Sequence, residues 1–386
     1  MKRKYLLLTL IAILLGIICM QKAEAAIYIS EIIEGSEKLQ AATLLSVFKD
    51  DGAAIKEITV PGIMVRVSPD QQSVVYVGMP SDQAKTVLWD VFISDMQQTK
   101  TRAFPFIKPP QKRGRSIAGM EWSPQGDKLL LLLAVALRDD KDYTYPVDVI
   151  VYDLTASTFR KITSLRADSL NEAPLIHAGW FPDNRRVWTR EISSRKGGAV
   201  KVIDTETSST QTIYEGMADV QPSRNGHVLY LIVPDQKSSN KDTQSSQSAS
   251  KNANLKRYDV QAQKMQDLGT IPYSPRALIG KSFLLGADSD HLFLVKEHVK
   301  SLAEYQISSQ TATEKQSPDL LFVPKAASPR DNHVACGYGH DMHKQAGYGV
   351  MNYKTMQYRK MKGIAKNAQS GEAAWGGLLL NRIEWF

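Results

Sequence analysis

Along the whole chain, pairs of short apolar runs joined by a turn bearing Pro, Asp, Gly or Asn alternate with hairpins closed by an acidic or polar turn. The clearest first pairs are Val65-Arg66-Val67-Ser68-Pro69-Asp70 before Val74-Val75-Tyr76-Val77, and Met120-Glu121-Trp122-Ser123-Pro124-Gln125-Gly126-Asp127 before the leucines from 129 to 133. A third is Gly179-Trp180-Phe181-Pro182-Asp183-Asn184 before Arg186-Val187-Trp188-Thr189. One four-stranded unit cannot bury both of its own faces, so such units must pack side by side around an axis. No sustained helical periodicity competes with the strand pattern. The pattern predicts an all-β fold, a single β-propeller of four-stranded antiparallel blades.

The second hairpins carry their own signature. Asp95, Asp153, Asp204 and Asp259 each end a strand-like run just before the turn, where a carboxylate can accept backbone N–H bonds a few residues on. Counting predicts seven blades. The first outer hairpin, residues 44–58, precedes any inner pair, and the last inner pair, residues 373–385, has no outer hairpin after it. Joining the two would close the ring with strands from both ends of the chain and leave no sheet edge open. Residues 26–42 fit no copy, which leaves six or eight blades open.

Residues 1–25 read as a secretion signal: Lys2-Arg3-Lys4, an apolar run from Tyr5 to Met20, then Ala23-Glu24-Ala25. An uncleaved anchor is the alternative, although the run falls short of the roughly 20 residues that a spanning helix needs. Ile17-Ile18 before Cys19 argue against lipidation, which needs a small residue there. The net charge of +8 drops to +5 once the leader's four basic and one acidic side chains are removed. That balance, without a dense basic block, predicts no nucleic-acid partner. Cys336, then the one remaining cysteine, reads as a small buried residue.

Three stretches break the rhythm. Residues 104–115 are a Pro-rich basic connector with Lys108, Lys112, Arg113 and Arg115, and residues 138–146 carry Asp139, Asp140 and Asp142. Residues 236–254, rich in Ser, Asn, Gln and Lys, lack the apolar side chains to order themselves and predict a mobile hairpin tip.

The Trp-Ser-Pro-x-Gly-Asp turn at Trp122 to Asp127, with weaker copies at Ser68-Pro69-Asp70, Trp180 to Asp183, Ser328-Pro329-Arg330 and Trp375-Gly376-Gly377, resembles the repeat of the TolB-like (WD40-like) propellers. The resemblance covers nearly all of residues 26–386 at the level of the repeat, without the α/β domain that TolB carries ahead of its propeller. It implies an exported propeller that presents a binding surface, with Trp122, Trp180 and Trp375 as core residues.

Chemistry-bearing motifs are few. No Gly-x-Ser-x-Gly elbow occurs, which excludes the hydrolase that such propellers precede in prolyl oligopeptidases. His340-Asp341-Met342-His343, with His333 nearby, is the one candidate metal site. Imidazoles three residues apart face opposite sides of a strand, so the pair needs a turn, which Gly337, Gly339 and Gly347 favour. Oligogalacturonate lyases resemble this architecture and use histidine ligands. The alternative reading is therefore a metal-dependent enzyme or binder acting on an anionic sugar polymer. Adjacent carboxylates such as Asp50-Asp51 and Asp139-Asp140 diverge along an extended chain and make poor acid–base partners.

The sequence thus predicts a non-enzymatic propeller in the periplasm or at the cell surface. It would bind an envelope protein or peptide, or serve as an envelope scaffold, with no cofactor expected beyond a possible divalent metal and no membrane insertion after leader cleavage. The expected contact residues are Arg113, Arg115, Asp139, Asp140, Tyr143, Tyr145, Arg185 and Arg195, because Arg and Tyr offer large contact area at low entropic cost.

Overall fold

The computed structural model describes residues 26–34, 41–78, 90–104, 115–135, 145–167, 177–193, 197–223, 225–234, 252–272, 283–285, 291–295, 301–316, 321–328, 330–341, 344–361 and 382–385. They form 28 strands, paired antiparallel into seven four-stranded sheets. Sheet I contains β1 (Ala26–Glu34), β2 (Ala41–Lys49), β3 (Ala54–Val60) and, ahead of β1, the final strand β28 (Arg382–Trp385). Sheet II runs β4 (Ile63–Val67), β5 (Ser73–Gly78), β6 (Asp90–Asp95) and β7 (Thr101–Ala103). Sheet III follows with β8 (Arg115–Trp122), β9 (Lys128–Val135), β10 (Tyr145–Asp153) and β11 (Thr158–Ala167). Sheet IV has β12 (His177–Trp180), β13 (Arg186–Ser193), β14 (Gly197–Asp204) and β15 (Thr210–Glu215). Sheet V has β16 (Asp219–Pro222), β17 (Val228–Pro234), β18 (Asn252–Asp259) and β19 (Lys264–Pro272). Sheet VI has β20 (Phe283–Leu285), β21 (His291–Val295), β22 (Ser301–Gln306) and β23 (Thr311–Gln316). Sheet VII has β24 (Leu321–Ala327), β25 (His333–Asp341), β26 (Lys344–Asn352) and β27 (Gln357–Lys360).

Continuous apolar strands appear because both faces of sheets I to V are covered by their neighbours. In β9, Leu129 and Leu131 pack against Val75, Val77 and Phe104 of the sheet II region. Leu130 and Leu132 of the same strand pack the other way, with Trp180, Val187 and Ile203 of sheet IV. Equivalent clusters join sheet IV to V, V to VI, I to II, and VII to I. First strands touch the first strands of neighbouring sheets, which sets β4, β8, β12, β20, β24 and β28 toward the common axis. This is a single all-β propeller.

The sheet shared by the two ends of the chain differs from the expected one. Residues 26–34, which fit no copy of the repeat, are β1, and all nine pair with β2. The C-terminal side contributes one strand, with Ile27↔Trp385 through Ser30↔Arg382 as partners. The sheet is therefore three strands plus one, where the sequence predicted two hairpins. A strand split from its hairpin partner by almost the entire chain leaves no local pattern to read. Residues 373–381, the other half of the expected inner pair, lie outside the described residues, as do Trp375 and the stretch 236–251.

Candidate binding surface

Because successive strands are antiparallel, each sheet has two ends, and the 27 connections between strands divide between them. At one end lie the turns joining first to second and third to fourth strands. All thirteen are four or five residues long. The opposite end takes the second-to-third and sheet-to-sheet connections, which range from two residues (61–62 and 342–343) to 21 (361–381).

The regular end is built from repeated hydrogen bonds. The N–H groups of Ser68, Ser123, Phe181, Ser223 and Ser328 each donate to the carbonyl five residues on, at 2.8–2.9 Å. Three residues into four of these turns the chain turns left-handed, at Gln71, Gly126, Asn184 and Gly226. The third-to-fourth turns are as uniform, with Gly52, Gln98, Ser157, Ser208, Gln263, Gln310 and Met356 all at positive φ. Carboxylates accept the backbone donors there as the sequence predicted: Asp95 from Thr99, Asp153 from Ala156, Asp204 from Glu206 and Thr207, and Asp259 from Gln261 and Ala262. One further bond ties the two turns within a sheet, for example from the Leu154 N–H to the Asp127 carbonyl and from the Thr205 N–H to the Arg185 carbonyl.

These bonds hold charge as well as shape. Burial opposes ionisation of Asp127, but side-chain donors on Asn184 and Ser123 outweigh it and keep its carboxyl below the ordinary 3.8. Asp204 is depressed likewise, burial being outweighed by backbone donors and Arg185. A carboxyl depressed in the folded state adds stability that is complete above its unfolded value, near 4, and disappears as pH falls through the folded value. The expected result is a melting temperature that declines below pH 4, with a shallower decline in Asp127→Asn. An unchanged acid limb in that variant would assign the decline to other groups.

Near the axis, polar side chains clamp adjacent first strands. The Trp122 indole donates to the Arg66 carbonyl at 3.1 Å and the Trp180 indole to the Glu121 carbonyl at 3.4 Å. Arg66 Nε donates to the Met120 carbonyl at 3.1 Å and lies 3.9 Å from the Glu121 carboxylate. The Val67 N–H donates to Glu384 Oε2 at 2.9 Å, which carries the clamp to β28. Burial, with the Glu384 charge second, pushes the nearby Tyr28 hydroxyl up to about 12. Both tryptophans therefore serve the fold. Arg66, Glu121 and Glu384 were not singled out from the sequence, because their partners lie on neighbouring sheets.

The expected contact residues separate. Arg115 opens β8 and Tyr145 opens β10, and their partners Val135 and Ala167 set both at the variable end of sheet III. Arg185 lies in a turn at the regular end, half exposed, held by Asp204 at 2.7 Å and Glu206 at 3.3 Å. It does not join the others, because the turn that exposes it also supplies its acidic partners. Arg113, Asp139, Asp140, Tyr143 and Arg195 lie outside the described residues.

Of the candidate metal ligands, His340 lies near the end of β25 and His343 is outside the described residues. His333 begins the same strand, 2.9 Å from Asp331 at the regular end. Seven strand steps separate His333 from His340, about 24 Å, so these two cannot share an ion. Among the described residues no three His, Cys, Asp or Glu side chains converge as metal ligands. Cys336 is buried, and desolvation pushes its thiol up.

No protein-family model matches the sequence, and no curated protein matches it. Solved structures do. The chain overlays puromycin hydrolase with a TM-score of 0.59 and 10% identity, over 87% of this chain and 52% of that one. An acylaminoacyl peptidase from Pyrococcus horikoshii gives 0.55 and 9%, over 88% and 51%. The likeness is one of fold. The chain spans about half the length of these two hydrolases. It also matches TolB from Acinetobacter baumannii over 93% of this chain and 82% of that one, at 13% identity and a TM-score of 0.42, too loose an overlay to add to the fold. Among the described residues no helix is long and apolar enough to cross a membrane.

Proposed function

We propose that the seven sheets are the blades of one ring closed where β28 joins β1, and that this ring is an exported, non-enzymatic binding or scaffold module of the cell envelope. Residues 1–25 would be its cleaved leader. Its partner, a protein or peptide, meets the end from which the variable connections leave. The observation that carries this reading is the contrast between the two ends: thirteen turns of four or five residues at one, fourteen connections of two to 21 at the other. Uniform turns held by repeated hydrogen bonds serve folding, whereas connections free to vary in length are where a rigid scaffold places recognition. Arg113, Arg115, Asp139, Asp140, Tyr143, Tyr145 and Arg195 are the proposed contacts, all on that end; Arg185 is not among them.

The test is photo-crosslinking in intact cells. A crosslinker at position 113, 143 or 195 should give a discrete adduct with a second protein, and one at Gln71 or Lys100, in the regular turns, should give none. Adducts formed equally from both ends, or from the turns alone, would overturn the assignment.

A further inference from the structure

Six of the seven first strands run into the second strand of their own sheet through a turn of five residues. β28 does not. It is the first strand of sheet I, but the chain reaches it from β27 of sheet VII through the 21 residues 361–381. Four of its residues pair with β1, from Ile27↔Trp385 to Ser30↔Arg382, whereas β1 pairs with β2 over nine. The seat that β28 fills is held by other contacts. Ile27 and Ile29 of β1 are fully buried in one cluster with Tyr348 and Val350 of sheet VII, and Ala26 and Tyr28 in another with Val65 and Val67 of sheet II. Withdrawal of β28 would leave a bare strand edge at Ile27 to Ser30 and would strip the Val67 N–H of its bond to Glu384 Oε2, 2.9 Å long. A bare edge of this kind recruits another strand, because its backbone groups need partners. Any strand could satisfy the backbone, but a copy of β28 also returns a carboxylate to Val67.

We propose that this seat accepts β28 from a second copy of the chain, so that two copies exchange strands and assemble through sheet I. The inference goes beyond the binding reading and does not depend on it. Each contact that the exchanged strand makes with its seat is one already made within a single copy, so concentration sets the balance. The chain's own strand competes at an effective concentration on the order of millimolar. Single copies therefore dominate in dilute solution, and exchange grows as the protein is concentrated. A link of 21 residues can span about 70 Å when extended, enough to carry β28 into a neighbouring copy.

The test traps the exchanged strand with a disulfide across the Ser30↔Arg382 pair, whose register brings the two Cα atoms within bonding range. Cys336 is the one thiol from residue 26 onward and is buried, so it does not compete. Two chains from residue 26 to 386, one with Ser30→Cys and the other with Arg382→Cys, are mixed and oxidised. A covalent heterodimer should form, its yield rising at least fivefold between about 10 µM and about 500 µM protein, the upper value approaching the effective concentration of the tethered strand. A synthetic peptide of residues 381–386 should lower that yield, and a scrambled peptide should not. The double variant Ser30→Cys, Arg382→Cys should close its own disulfide and form no heterodimer. A chain with Lys264→Cys, an exposed residue of sheet V, replaces Ser30→Cys as the control for random collision. The proposal is overturned by a heterodimer that forms as readily with this control, by a yield that neither concentration nor the peptide changes, or by no heterodimer while the double variant closes. Failure of the double variant to close would remove the strand pairing on which the proposal stands.

Discussion

Replacing Phe181 by alanine is expected to lower stability by about 3–5 kcal/mol, read as a shift in urea midpoint at unchanged slope. Phe181 is fully buried and occupies the turn position at which four other sheets place Ser68, Ser123, Ser223 and Ser328. A serine there is a local device: in Ser68, Ser123 and Ser223 the hydroxyl accepts an N–H from the residue five further on. Phe181 keeps the backbone bond to Arg186 but sends its ring into the cluster of Val200, Val202, Leu229 and Leu231, which joins sheets IV and V. The Arg186 guanidinium covers the ring at 5.5 Å. The energetic weight of this residue is therefore between sheets rather than within the turn. Phe181→Ser separates the two, because it restores the hydroxyl of the repeat and none of the volume. It should cost nearly as much as alanine. A loss below about 1 kcal/mol in both variants would mean that the junction repacks without the ring.

The same contrast explains what could be read from the sequence. Turns were legible because their chemistry is local: Asp204 accepts from residues two and three positions on, and Gly126 and Asn184 take a backbone conformation that those residue types favour. Burial of Leu129 to Leu132 on both faces of the sheet was legible as an apolar run. The second strand of sheet I, β1, was not: residues 26–34 match no copy of the repeat, and their partners on one side, such as Ile383 for Ile29, lie at the far end of the chain.

Sites were harder to read than folds. The sequence grouped Arg185 with Arg115 and Tyr145 by residue type and loop position, yet strand order sends it to the opposite end from both. Only the parity of the connection decides this: a turn after a first or third strand is at one end, any other connection at the opposite one. Parity also separates His333 from His340, which are close in sequence but at the two ends of β25. The axial clamp of Arg66, Glu121 and Glu384 was hidden for another reason. Its contacts are made to backbone groups of neighbouring sheets, so no spacing within one repeat announces it.

Gly226→Ala is the second large effect, and it tests whether the regular end is set by backbone conformation or by contact between sheets. Gly226 is left-handed, with φ +67°, a conformation that costs an L residue about 1–2 kcal/mol. A Cβ there would also collide with the Pro182 ring of sheet IV and lie 3.1 Å from its backbone nitrogen. Crowding of this kind adds about 1–3 kcal/mol, giving an expected total of about 2–5 kcal/mol. Gly226→Asn divides the two contributions. Asparagine tolerates the left-handed region, as Asn184 does at φ 59° in the equivalent turn, but brings the same Cβ. Gly126 supplies the control, since its φ is +74° but its nearest neighbour, Pro69 Cδ, would stand at an ordinary 3.6 Å. Collision predicts that asparagine is damaging at 226 and nearly neutral at 126; conformation alone predicts that it is tolerated at both. The first pattern is expected, because the Pro182 ring is fixed by its own backbone and cannot move aside without shifting the turn that carries Asn184 into its bonds with Gln125 and Asp127.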